Sequence, residues 1–249
     1  MIPRWNHGSA GRVGYLIVLC ILLAVISGCM YPENQMKQSG GAPKEAVRTV
    51  QAAIDQYQAE TSLLPIENSA SDTPLYEKFK IDFGKLQRAG YLSSIPGAAF
   101  ENGGNYYFLL IDEETKPRVK LLDLVTFQQM NDLASWIKEY QAANNDGLPL
   151  GEQAYPGFYR VDYAKLNKQE QKIRSIYSGQ TLTAMIDEQG NVYTDYGLDI
   201  MRAVDKLEDK ELDPALDLRT LLVDQSEFVP VKAPVYHWVN NEPTAVIAK

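Results

Sequence analysis

Three short blocks of this 249-residue chain occur twice, in the same order. Phe79-Lys80-Ile81-Asp82-Phe83-Gly84-Lys85-Leu86 returns as Tyr159-Arg160-Val161-Asp162-Tyr163-Ala164-Lys165-Leu166, with three positions identical and five chemically close. Upstream, Ile54, Tyr57, Gln58 and Ala59 return as Ile137, Tyr140, Gln141 and Ala142, and each group is followed by a Leu-Pro pair, Leu64-Pro65 or Leu148-Pro149. Downstream, Ile111-Asp112-Glu113 returns as Ile186-Asp187-Glu188. The offsets are 83, 80 and 75 residues, so the second copy is the shorter. Chance supplies one such block; three in order point to a tandem duplication, one copy at 44–125 and the other at 126–205.

The expected fold class is α+β, with each copy a helix, a short capped helix and a β-hairpin. Val47, Val50, Ile54 and Tyr57 lie three or four residues apart and form one apolar stripe, as do Leu133, Ile137 and Tyr140. Each Leu-Pro pair then closes its helix region, because the residue before proline is pushed out of the helical basin. Asp82 and Asp162 precede Gly-Lys-Leu and Ala-Lys-Leu, where a carboxylate accepts bonds from free amides and caps a short helix. A catalytic pairing of the two aspartates is the alternative, and capping is favoured. Extended runs at Tyr106–Ile111 and Arg118–Leu124, and at Leu182–Ile186 and Val192–Tyr196, flank turn residues and predict the hairpins. The hairpins share one antiparallel sheet or form two small sheets side by side.

Residues 206–249 are expected as C-terminal helices and an extended arm. The apolar spacing from Ile200 to Leu221 predicts two helices broken near Asp213-Pro214. Pro230, Pro234 and Pro243 predict an extended arm over 224–249, packed on the body in part through Tyr236 and Trp238.

The amino-terminal end carries an address. Arg4 and Arg12 precede the apolar run Val13 to Ile26, which is shorter than the ~20 residues a spanning helix needs, and Ser27, Gly28 and Cys29 follow. Residues 1–28 read as a lipoprotein signal peptide, with Ile26-Ser27-Gly28-Cys29 resembling a bacterial lipobox and Cys29 the lipidated residue. An uncleaved anchor helix is the alternative, and both place the remainder on the extracytoplasmic face of the cell membrane. Residues 29–43, polar after the cysteine, read as a flexible tether.

Charge and residue scarcity narrow the function. The chain holds 24 Lys and Arg against 32 Asp and Glu, a formal charge of −8 that argues against nucleic acid as a partner. Without residues 1–28 the balance is 22 against 32, so attachment to the membrane rests on acyl chains and not on a basic patch. Cys20 falls within the signal segment, leaving Cys29 alone and no disulfide. His237 is then the sole remaining histidine, which leaves little for a Ser-His-Asp triad or a multi-histidine zinc site.

No Walker loop, GxGxxG, HExxH, GxSxG or complete EF-hand loop occurs. Asp112-Glu113 and Asp187-Glu188 offer carboxylates to a hard cation, but their position in hairpin turns favours solvated turn residues. Tyr76, Tyr91, Tyr106, Tyr107, Tyr155, Tyr159 and Tyr163 suit glycan stacking, although core and sheet positions are the commoner use of such rings.

The lipobox, Tyr31-Pro32-Glu33, the stretch Tyr57 to Ile66, Phe79 to Leu86 and Val119 to Leu124 together resemble the uncharacterised YphF-like lipoproteins of Gram-positive bacilli. The resemblance covers roughly the first copy and implies an address without an established activity, so it transfers no functional residue. A looser likeness to the soluble domain of pseudopilins rests on a helix, Leu-Pro, Gly90-Tyr91-Leu92, Pro96 and Gly104-Asn105-Tyr106-Tyr107, and concerns architecture only. The combined expectation is a lipid-anchored envelope lipoprotein that binds an envelope protein or a cell-wall glycan without catalysis, with no catalytic residue, cofactor or metal assigned. The alternatives are a carboxylate-based glycan hydrolase, which needs two acids roughly 5 to 10 Å apart across a cleft, and a transporter's solute-binding lipoprotein.

Overall fold

The computed structural model describes residues 41–208 and 212–247. Cys29, the signal segment and most of the expected tether lie outside the described residues. Residues 42–249 group as a single unit.

Helix α1 (Gly41–Thr61) starts inside the segment expected as tether, with Pro43 tolerated in the first turn, where an amide would have no intrahelical partner. Its buried stripe is Val50, Ala53, Ile54 and Tyr57. The helix stops before Leu-Pro: Ser62 takes a left-handed conformation (φ 58°) while its amide still reaches the Gln58 carbonyl at 2.8 Å. A 3₁₀ turn (Leu75–Glu77) and α2 (Phe83–Arg88) follow, then strands β1 (Tyr106–Ile111) and β2 (Arg118–Asp123), paired antiparallel from Tyr106↔Asp123 to Ile111↔Arg118.

Both faces of this hairpin are covered, which accounts for the uninterrupted apolar run Phe108 to Ile111. Phe108, Leu110, Val119 and Leu121 pack on α1 and α2. Leu109, Ile111 and Leu122 face Tyr76, Val223, Val229 and Val231 from elsewhere in the chain.

Helix α3 (Leu124–Ala143) opens the second half, with Asp123 accepting from the amides of Val125 (3.3 Å) and Thr126 (3.1 Å). It ends where Asn145 and Asp146 turn left-handed. A four-stranded antiparallel sheet follows in the order β3 (Leu150–Tyr155), β4 (Phe158–Val161), β7 (Ala184–Asp187) and β8 (Val192–Thr194). The short pair β5 (Ile173–Arg174) and β6 (Thr181–Leu182) stands apart. The hairpins therefore sit in separate sheets. Where a short helix was expected after Asp162, the chain makes only a turn, ending at Asn167 with φ 51°.

The same pairing order recurs in the two halves. In the first, Ile66 bridges Ile81, Lys80 bridges Leu109, β1 pairs with β2, and Leu121 bridges Phe228. In the second, Leu150 pairs with Val161, Arg160 with Met185, β7 pairs with β8, and the Thr194 amide reaches the Lys232 carbonyl at 3.0 Å. One segment, 227–232, thus edges both sheets.

The tail departs from expectation at its end. Helices α4 (Gly197–Asp205) and α5 (Arg219–Asp224) flank the Asp213-Pro214 break, but the expected arm folds into an antiparallel hairpin, β9 (Val235–Val239) with β10 (Glu242–Val246). Pro243 is compatible with a strand here because β10 pairs only with β9 and needs no second ladder of amide donors. Tyr236 and Ala245 are buried in the larger core with Met130, Ile137, Phe158, Ile186 and Ile200. Apolar burial of these side chains outweighs the reading of three prolines as an arm.

Candidate functional site

Between α4, α5 and the β5–β6 turn lies a cleft of about 600 Å³, lined in part by Ile176, Tyr177, Asp199, Arg202, Lys206 and Phe228. Its floor is a buried carboxylate. Asp199 belongs to the inward stripe of α4 with Ile200, Ala203 and Val204, and is only 3% exposed.

The protons around Asp199 can be assigned from geometry. The Ser175 hydroxyl oxygen accepts from the amides of Tyr177 and Ser178, both at 3.1 Å, which commits its single proton to Asp199 Oδ2 at 2.7 Å. Ser175 is itself 3% exposed, so the bond is made out of water. Asp199 Oδ1 is buried and has no hydrogen-bond partner among the described residues. A buried acceptor in that state costs roughly 1–3 kcal/mol.

The cleft wall is braced. The Tyr177 hydroxyl donates to the Phe228 carbonyl at 3.3 Å, and its ring meets Tyr196 edge-on with centroids 5.7 Å apart. Burial, with Tyr196 and Asp199 nearby, pushes the Tyr177 phenol well above its usual range, so it stays a donor. Gln225 Nε2 donates to the Ala203 carbonyl at 3.2 Å, tying α5's end to α4. Of the other acids on the cleft, Glu227 pairs with Lys44 at 3.5 Å and Asp205 is engaged. Arg202 and Lys206 are exposed, and neither makes an ion pair with a described residue.

A second cleft, about 580 Å³, includes Asp195, Tyr155, Arg160, Glu152 and Glu242. Asp195 Oδ1 there accepts from Tyr236 (2.8 Å), Gly197 N (2.9 Å) and Tyr155 (3.1 Å), a set that fixes the start of α4. A third, about 300 Å³, adjoins Lys80 and Tyr107.

The residues singled out in the sequence take structural roles. Asp82 Oδ1 accepts from Lys85 N at 2.8 Å and caps α2; Asp162 Oδ1 accepts from Ala164 N (3.1 Å) and Lys165 N (3.2 Å). Asp112 binds Arg118 at 2.6 Å. Asp187, 2% exposed, is saturated by Gln189 N, Asn191 N, Asn191 Nδ2 and the Tyr193 hydroxyl. No three-residue group that could hold a metal ion occurs among the described residues. His237 Nδ1 lies 2.7 Å from the Pro214 carbonyl, which makes that nitrogen the protonated one. Tyr91 bonds Glu60 at 2.6 Å and Tyr159 bonds Glu188 at 3.3 Å, while Tyr76 is core.

Residues 43–123 match the family model of the YphF family N-terminal domain. The match covers about a third of the 249 residues and supports a YphF-like assignment for that segment. The match ends at Asp123, the cap of α3, so the matched segment takes in α1, α2 and the β1–β2 hairpin. The Asp199 cleft lies outside the matched residues, although its Phe228 edge bridges to the matched segment at Leu121. No curated protein and no solved structure matches the chain, which leaves the pseudopilin likeness without support. No helix among the described residues is long and apolar enough to cross a membrane.

Proposed function

We propose that this chain is a lipoprotein anchored through Cys29 on the extracytoplasmic face of the cell membrane, with a body that binds an envelope component without catalysis. The observation that carries the binding reading is the Asp199 cleft: a buried carboxylate with one oxygen fixed by Ser175 and the other unsatisfied. A glycan hydrolase needs a second working acid across the cleft. Glu227 pairs with Lys44 at 3.5 Å and Asp205 is engaged, so neither is an unpaired acid set against Asp199. The membrane address rests on Ile26-Ser27-Gly28-Cys29 behind its apolar run. The shared pairing order of the two halves, added to the repeated sequence blocks, supports their origin as tandem copies.

A second reading follows from size. At about 600 Å³ the cleft falls within the ~300–1,000 Å³ typical of small-ligand sites, which favours a solute-binding lipoprotein over a pure scaffold.

The test is mass spectrometry of the amino-terminal peptide from membranes, compared with Cys29→Ala, together with protease treatment of intact cells. A lipid-modified Cys29 at the mature terminus and a body digested from outside are expected. An unmodified precursor, or a body protected in intact cells, would overturn the address. Release of reducing ends from purified wall glycan by the full chain would overturn the non-catalytic reading.

A further inference from the structure

We infer that the Asp199 cleft is a site for a small zwitterion, an amino acid or short peptide that places its ammonium on Asp199 and its carboxylate at Arg202 and Lys206. The inference rests on the binding reading above and specifies the ligand.

The inner end of the cleft requires a donor. Asp199 Oδ2 already holds the only proton that Ser175 can give, and Oδ1 is buried without a partner among the described residues. An anion in that position is served best by a cationic donor, because a charge-assisted bond is about twice as strong as a neutral one. The Tyr177 hydroxyl cannot supply it, since its one proton goes to the Phe228 carbonyl, and Gln225 Nε2 already gives one of its two protons to the Ala203 carbonyl.

The outer end requires an acceptor. Arg202 and Lys206 line the same cleft, are exposed and pair with no described acid. The helix sets their distance from Asp199. A residue three further along lies on the adjoining turn, roughly 5–6 Å away at Cβ, and one seven further lies roughly 10 Å along the axis at ~1.5 Å per residue. With the reach of their long side chains, both cations can meet the carboxylate of one short zwitterion, a dipeptide included, whose ammonium sits on Asp199. The guanidinium of Arg202 offers the forked geometry that a carboxylate takes up. A ligand neutral overall also fits a site whose one free anion is buried and whose cations stand at the rim.

The test is calorimetric titration of the full chain, in detergent, with the dipeptide Ala-Ala, N-acetyl-Ala-Ala and Ala-Ala amide. The acetyl group removes the ammonium and the amide removes the carboxylate. Saturable binding of Ala-Ala is expected, weakened at least tenfold by either blocking group, by Asp199→Asn and by Arg202→Gln. Arg202 is exposed, so its variant keeps the fold even where Asp199→Asn does not. Binding of Ala-Ala that is indifferent to the blocking groups or to Arg202→Gln overturns the assignment. Absence of binding also overturns it, and leaves the wider binding reading to be decided separately by crosslinking at the cleft rim.

Discussion

Asp82 and Asp162 stand in the same main-chain frame: the amide of each donates at 2.8 Å to the carbonyl of the proline in a Leu-Pro pair, Pro65 for the first and Pro149 for the second. The Leu86 and Leu166 amides then reach back to their carbonyls at 3.3 and 3.4 Å. The repeated carboxylates are thus parts of a repeated chain reversal. Asp82→Ala is expected to cost about 1 kcal/mol, the ordinary loss of a helix cap. Tm should fall by ~2–4 °C. Asp162→Ala should cost less, because its bonds are longer and close a turn instead of a helix. Thermal melts of the single variants check both values, and ligand binding at the Asp199 cleft should be unchanged.

Lys120 joins the first hairpin to the chain's end. It is 9% exposed, and its Nζ donates at 2.6 Å to the carbonyls of both Val223 and Ser226, the former in the last turn of α5. Lys120→Met keeps the aliphatic stem but leaves two carbonyls without their donor, so a loss of about 2–3 kcal/mol is expected in urea unfolding. Burial lowers the lysine's pKa below its ordinary value, because it disfavours the charged form.

The pairing order was partly legible before the structure, because the repeated blocks contain its fixed points. Asp82, Asp162 and the Leu-Pro pairs sit where each chain reverses, and the apolar stripes of α1 and α3 follow their spacing. The arm at 224–249 was misread for a physical reason: prolines report lost amide donors, and a two-stranded edge hairpin tolerates that loss. The cleft was harder to see. Asp199 falls on the buried stripe of α4 with Ile200 and Ala203, a position that spacing alone marks as unusual for an acid. Its partner Ser175 is 24 residues away and carries no local signal.

Ser175→Ala removes one donor to Asp199 and one acceptor for two amides, all in a buried setting. A loss of roughly 1–3 kcal/mol is expected, read as a lower urea midpoint. Ser175→Thr, which restores the hydroxyl, should recover most of it if the added methyl is accommodated.

Alkaline stability should be poor. Burial is the leading cause that pushes Tyr76, Tyr163 and Tyr193 from 10.0 up to about 12, and it also drives Tyr177, Tyr196 and Tyr236 well above their ordinary value. The folded chain holds these protons more tightly than the unfolded one. Stability from these groups is therefore complete below pH 10 and is lost as pH rises towards 12. Lys120 acts in the opposite sense, since its folded pKa is lowered, but it is one group against these six tyrosines and Tyr155, whose pKa burial also raises. Melts from pH 8 to 12 with tyrosinate absorbance should show a cooperative rise in ionised tyrosine at unfolding.

The most direct measurement is photo-crosslinking in intact cells from a photoreactive phenylalanine at Ile176, which lines the Asp199 cleft and is 38% exposed. A defined envelope adduct that requires Cys29 and is lost in Asp199→Asn is expected. An adduct that persists in both Cys29→Ala and Asp199→Asn, or none at Ile176 in the lipidated chain, would contradict it.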